Sequence, residues 1–322
     1  MATRATDPGA PTGVGPSGQA RGEELKAQFE ERRLAVFLQR GLAVEGRRIA
    51  DAAGRDTYAL VSGDGQCPMV LIHGGVGNTV EWADIAPQLR GPIVIPDRPG
   101  FGLSYPQDYR QIDYKGDAAR WLLELTDGLR REQVDLVANS MGGFFAIAFA
   151  TANPKRVRRL VLTGAAGGLF SSLGLLLQLW ATPGIGALIS KMKIQDTETL
   201  RKRVFGGYLT HPERLAEDLL DVALAGMNLP GTADTNRAIL QKVATLRGWR
   251  PEQRLDEALA GLEVPTLFAW GDHDQLAKPD VAQALARRMP NAEVAIIDDA
   301  GHLPHLDQPA AVAAAVNAFL RE

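Results

Sequence analysis

The chain has 322 residues, 45% hydrophobic and 23% charged, with 35 Lys+Arg against 38 Asp+Glu for a formal net charge of -3. That composition is globular rather than disordered or fibrous, and the length suffices to bury a large core without covalent staples. The near-neutral balance argues against nucleic acid as a partner. A single cysteine, Cys67, excludes an internal disulfide and argues against paired-thiol redox chemistry or a thiolate metal cage.

Residues 1–20 are rich in Gly, Pro, Ala and Thr and lack an apolar run. This predicts a flexible tail rather than a secretory signal, and a cytoplasmic location is expected. Over 21–40, Leu25, Phe29, Leu34, Phe37 and Leu38 recur at helical spacing and predict an amphipathic leading helix. Two strands at 41–52 and 57–62 follow, read as an antiparallel edge. Short β-branched runs at 69–72, 93–95, 134–138, 160–162, 266–270 and 294–297 then alternate with helical patterns at 79–89, 113–129, 141–152, 277–288 and 309–320. Such alternation predicts an α/β fold: a mostly parallel sheet, joined by right-handed crossovers and covered by helices on both faces.

Between Arg159 and Lys191 no residue is charged. A membrane span needs about twenty continuous apolar residues, and this run is broken by Gly164, Gly167-Gly168, Gln178 and Pro183-Gly184. A buried strand end and one apolar helix are expected instead of a span. From 168 to 249 the patterns are helical only, an insertion that reads as a lid. The expected division is a tail over 1–20, a core of 21–165 and 246–322, and a helical cap over 166–245.

The chemistry is concentrated after the strands. In Val134-Asp135-Leu136-Val137-Ala138-Asn139-Ser140-Met141-Gly142-Gly143 a strand gives way to a helix, and Ser140 sits at the turn with Ala138 and Gly142 two residues to either side. A nucleophile elbow needs small flanking residues because the turn is tight and lifts the hydroxyl above the sheet. A serine needs a base to take its proton. Of five histidines, His302 is the candidate, on the loop after the last strand. His305 is read as a solvated or packing residue, His211 as a helix-start residue and His73 as part of a separate motif. The base in turn needs a buried carboxylate. The loop Gly271-Asp272-His273-Asp274 offers two.

Together these features resemble the α/β-hydrolase fold superfamily, in its branch with a helical cap after the sixth strand. The marks are His73-Gly74-Gly75, Asp97-Arg98-Pro99-Gly100-Phe101-Gly102-Leu103-Ser104, the Ser140 elbow, Gly271-Asp272-His273-Asp274 and Gly301-His302. The resemblance implies an eight-stranded sheet and a triad of Ser140, Asp274 and His302, since the family spacing selects Asp274 over Asp272. It also implies an oxyanion hole formed by the amides of Met141 and Gly75, with Val76 as the alternative to Gly75. His73 and Asp97 are given structural roles. Serine rather than aspartate at the elbow argues against haloalkane dehalogenase and epoxide hydrolase chemistry.

The expected reaction is hydrolysis of a carboxylic ester through an acyl-enzyme, with no metal or organic cofactor. The partner is a small-molecule ester, and the chain is expected to be a monomer or homodimer with no membrane span. The elbow is similar to that of meta-cleavage-product hydrolases, so carbon–carbon bond hydrolysis is an alternative, as is lactone hydrolysis. Leu303 stands after His302 where those hydrolases carry Trp. A non-catalytic ligand-binding protein on the same fold is the remote alternative. Leu176, Leu177 and Trp180 of the charge-free run, with Asn139 and Leu303 beside the nucleophile and base, are the candidate substrate contacts.

Overall fold

The central strands Met69–Ile72, Ile93–Pro96, Val134–Asn139 and Thr266–Gly271 are buried at every position because both faces of the sheet are covered there, whereas the edge strand Glu45–Ala50 is largely exposed. The computed structural model describes residues 16–75, 78–170, 173–191 and 193–321. It opens with α1 (Pro16–Gln39), β1 (Glu45–Ala50), β2 (Asp56–Ser62), β3 (Met69–Ile72) and β4 (Ile93–Pro96). Next come α2 (Tyr114–Gly128), β5 (Val134–Asn139), α3 (Ser140–Ala152) and β6 (Val157–Thr163). Five helices follow: α4 (Leu175–Ala181), α5 (Ile185–Ile189), α6 (Thr197–Arg203), α7 (Glu217–Met227) and α8 (Thr232–Val243). The chain then forms β7 (Ala244–Thr245), β8 (Gly248–Trp249) and α9 (Asp256–Ala260). It closes with β9 (Thr266–Gly271), α10 (Pro279–Ala286), β10 (Ala292–Ile297), α11 (Pro304–Asp307) and α12 (Pro309–Arg321).

Eight strands form one sheet in the order β1-β2-β4-β3-β5-β6-β9-β10. It is antiparallel where β2 meets β1 and β4 and parallel from β4 through β10. Because successive side chains of a strand point to opposite faces, Val70, Ile72, Leu136 and Ala138 enter one apolar layer and Leu71 and Val137 the other. β4 and β5 lie on opposite sides of β3. Reversal of strand order at β3 leaves a crevice beyond the carboxyl ends of the strands, the usual ligand position in open α/β sheets. The loops after β3 and β5 meet there.

Several expectations are corrected. The leading helix begins at Pro16, so residues 16–20 belong to it, while 1–15 of the expected tail lie outside the described residues. Its inward stripe is Phe29, Arg33, Val36 and Phe37, and Leu25 and Leu38 are exposed. Hydropathy misses this face because a charged residue stands in it. The stretch at 79–89 is two short 3-10 turns, Thr79–Trp82 and Ala86–Gln88, since Pro87 has no amide proton to continue an α-helix. The β7–β8 hairpin interrupts the segment expected to be wholly helical. Among the described residues no helix is long and apolar enough to cross a membrane.

Arg33 ties α1 to the sheet. Its Nη1 donates to Asp97 at 2.7 and 3.0 Å and to Thr79 Oγ1 at 2.8 Å, with both charged side chains fully buried. Burial pushes the Asp97 carboxyl above its usual range, against the opposing pull of Arg33 and the Leu103 amide. Replacing Asp97 by Ala leaves an unpaired buried guanidinium, so unfolding free energy is expected to drop by about 3–5 kcal/mol. Urea denaturation of Asp97→Ala checks this; a loss below about 1 kcal/mol would show that the pair does not anchor α1.

Candidate active site

Ser140 ends the turn between β5 and α3 with φ at 49°, one of three non-glycine residues with positive φ among those described. Such a backbone costs about 1–3 kcal/mol and persists only where its surroundings enforce it. Gly142 is one enforcer: a Cβ there would collide with the carbonyl oxygens of Ile72 and His73, so only glycine lets α3 approach the end of β3. The Ser140 carbonyl accepts from the Gly167 amide at 2.8 Å, which ties the turn to the loop after β6.

His302 follows β10 and is buried. Its Nδ1 lies 3.1 Å from Asp274 Oδ2, and the same oxygen accepts from the Ala165 amide at 2.9 Å. Asp274 Oδ1 accepts from the Leu276 amide at 2.9 Å. Burial raises the Asp274 carboxyl, but adjacent His302 and these donors outweigh it and hold the group below the usual carboxylate range. Asp272 lies apart from this pair. It is 31% exposed, meets His273 at 2.7 Å and accepts from the Ala300 amide at 3.1 Å. Among the described residues the buried His302 Nε2 has no hydrogen-bond partner. Ser140 and His302 border one cavity without a direct hydrogen bond between them, and such bonds often tighten only when substrate is bound.

The loop after β3 packs against the elbow. A Cβ on Gly75 would stand 3.2 Å from Met141 Cγ, and one on Gly74 3.4 Å from Ser140 Cβ. Gly75 and Met141 both border the cavity, and Val76 lies outside the described residues. His73 is fully buried, with Nδ1 2.9 Å from the Gly74 carbonyl and Nε2 accepting from the Arg98 amide at 3.1 Å. That pairing requires the neutral Nδ1–H tautomer, and burial with Arg98 nearby holds the imidazole well below its usual pKa.

The cavity has about 880 Å³ of empty space, its mouth included. Leu177, Trp180 and Leu303 line it, and the side chain of Leu176 lies outside the described residues. Asn139 borders it too, but its Nδ2 donates to the carbonyls of Thr163 and His302, so it braces the His302 loop rather than reaching into open space. Sequence reasoning missed Glu81, Tyr208, Asn236, Ile239 and Trp249 on the cavity wall. They carry no local motif; only the tertiary fold brings them to the site. His305 is fully buried and stacked on Trp82 at 4.4 Å, which makes it a packing residue. His211 caps the turn Pro212–Arg214 and meets Asp299 at 2.7 Å.

Comparison with known proteins matches this geometry to a family. The sequence profile of the alpha/beta hydrolase fold covers residues 68–309. Lipase 1 of Psychrobacter immobilis is 31% identical over 244 residues, 74% of this chain and 72% of that protein. The 2-hydroxymuconate semialdehyde hydrolase of Pseudomonas sp. (strain CF600) is 29% identical over 292 residues, 86% of this chain and 94% of that protein. The crystal structure of a carboxylesterase from Bacillus subtilis superposes with a TM-score of 0.69 at 21% identity, over 92% of this chain and 98% of that one. An eight-stranded, mostly parallel sheet with a strained serine at its crevice therefore has a family: the chain belongs to the alpha/beta hydrolase fold and is an α/β hydrolase.

Proposed function

We propose that the chain is a serine hydrolase of carboxylic esters with small to medium apolar acyl or alcohol parts. In this reading Ser140 attacks the ester carbonyl while His302 takes its proton, and Asp274 orients His302 and stabilises the imidazolium. The amides of Gly75 and Met141 hold the oxyanion, each donor contributing several kcal/mol, roughly 3–4 in comparable sites. His302 then protonates the leaving alcohol, and water enters to release the acid by the same steps. Residues 166–245 act as a cap whose apolar side chains receive the substrate.

Two kinds of protein compete as guides, a lipase and a carboxylesterase on one side and a 2-hydroxymuconate semialdehyde hydrolase on the other. One observation favours the ester reading: among the described residues, no Lys or Arg side chain lines the cavity, and its one acid is Glu81. A dienoic acid brings a carboxylate, and burying one without a partner is costly. Phe170, Leu173, Leu177, Phe205 and Ile239 instead offer apolar surface suited to a neutral chain.

The test compares p-nitrophenyl esters of increasing acyl length with a 2-hydroxy-6-oxo dienoate under one assay. Neutral esters should exceed the dienoate in kcat/KM by at least about 100-fold, a difference of ~2.7 kcal/mol in barrier. Equal or faster turnover of the dienoate would replace this reading with carbon–carbon bond hydrolysis.

A further inference from the structure

The Gly74 peptide groups are gripped from two sides. Arg98 Nη2 donates to the Gly74 carbonyl at 2.7 Å, and His73 Nδ1 lies 2.9 Å from the same oxygen. From the other side, the Gly74 amide donates to Glu81 Oε1 at 3.0 Å. Among the described residues no peptide bond is cis, and in a trans peptide the carbonyl and the following N–H point in opposite directions. Pinning the Gly74 carbonyl toward Arg98 and His73 therefore turns the Gly75 N–H away from them. Glu81 fixes the preceding peptide, so the loop cannot rotate about Gly74, where the missing Cβ would otherwise leave it free.

We propose that Glu81 is a positioning residue of this hydrolase: its carboxyl holds the Gly74 amide so that the Gly75 N–H faces the oxyanion, and it makes turnover fall in alkaline solution. This rests on the ester-hydrolase reading, with Gly75 as an oxyanion donor. The carboxyl is 6% exposed and borders the cavity. Burial pushes its pKa up to about 8, with the Gly74 amide and Arg98 only partly offsetting the rise.

The surroundings of Glu81 explain why its proton stays. From α11, His305 Nε2 lies 3.8 Å from Oε1, but burial drives that imidazole down to about 3, so it brings no positive charge. The one acid of α11, Asp307, accepts from the Thr210, His211 and Gly301 amides. Beyond β4, Asp97 is paired with Arg33 of α1, and among the described residues Arg98 is the one cation acting on Glu81. β3 carries no ionisable group, and α7 turns Leu219, Leu220, Val222, Ala223 and Gly226 inward. At neutral pH the group is an uncharged acid that accepts a hydrogen bond. Above about 8 it becomes an anion in the wall where the oxyanion forms. Like charges close together in a low-dielectric site repel strongly, so the transition state is disfavoured while a neutral ground-state ester is barely affected.

The experiment measures kcat and KM for a p-nitrophenyl ester from pH 6 to 9 in wild type, Glu81→Gln, Glu81→Ala and Ser140→Ala. Wild-type kcat should fall about tenfold between pH 7 and 9, with KM changing less than threefold. Glu81→Gln keeps an acceptor for the Gly74 amide but cannot ionise, so its kcat should be flat over that range. Glu81→Ala should lose at least about 30-fold in kcat at pH 7, with the glutamine variant recovering most of that loss. An alkaline fall that persists in Glu81→Gln, or full kcat in a folded Glu81→Ala, overturns the proposal. If Glu81→Ala does not fold, the pH profile of Glu81→Gln decides alone. Undiminished turnover in Ser140→Ala would instead overturn the ester-hydrolase reading, so the two failures are distinct.

Discussion

Ser140→Ala should lower kcat for p-nitrophenyl esters by at least ~10⁴ while leaving the fold intact. Removing the nucleophile of a serine protease costs about 10⁶ in kcat, and the remaining oxyanion donors and binding groups still give some catalysis over water. The fold should survive because Ser140 sits at a half-buried turn bordering the cavity and its side chain makes no hydrogen bond among the described residues. Alanine retains the cost of the 49° φ, so no gain in stability is expected from it. Ser140→Gly makes a useful control: it should be as inactive, yet no less stable, because glycine adopts that backbone without strain. Turnover in Ser140→Ala within tenfold of wild type would remove Ser140 from the mechanism. Thermal melts of the three proteins, run beside the assay, separate a chemical loss from unfolding.

The parts legible in the sequence were those that local chemistry determines. The elbow was readable because a strand end, a serine and small residues must be contiguous for the turn to form; the Gly142 contact with the β3 carbonyls is the physical reason. The central apolar strands were readable because they are buried on both faces, and the edge run at 294–297 was readable from its β-branched residues alone. The residues alone left the acid open between Asp272 and Asp274, and only the spacing of similar proteins chose between them. Less was legible where partners are distant in sequence. Arg33 looks like a surface residue of an amphipathic helix until Asp97, sixty-four positions on, is placed beside it. Glu81 falls in a stretch whose sequence shows only a helical pattern, yet it lies buried beneath Gly74. Most of the cavity wall, including Tyr208, Asn236 and Trp249, comes from segments whose sequence shows only helical periodicity. Periodicity reports which face is buried, not whether it meets packed core or a ligand.

Asp274→Asn should lower kcat by at least two orders of magnitude, whereas Asp272→Asn should stay within about tenfold, or ~1.4 kcal/mol in barrier. The hydrogen bonds of Asp274 give the reason. Its Oδ2 meets His302 Nδ1 at 3.1 Å and the Ala165 amide at 2.9 Å, while Oδ1 takes the Leu276 amide at 2.9 Å. An asparagine has one oxygen for these two positions. With its oxygen beside His302, its NH₂ faces the Leu276 N–H, two donors opposed in a buried place. Turned the other way, its NH₂ faces both Ala165 N–H and His302, which forces the proton onto Nε2 and leaves no base toward Ser140. Neither orientation supplies the negative charge that stabilises the imidazolium, and the equivalent change in a serine protease costs about 10⁴ in kcat. Asp272, partly exposed and turned to His273 and the Ala300 amide, makes no contact with His302, so its amide variant should affect loop stability more than turnover. Both kcat values measured at one pH decide the assignment. A crippled Asp272→Asn beside a near-normal Asp274→Asn would mean that the loop after β9 presents the other carboxylate to His302 during turnover.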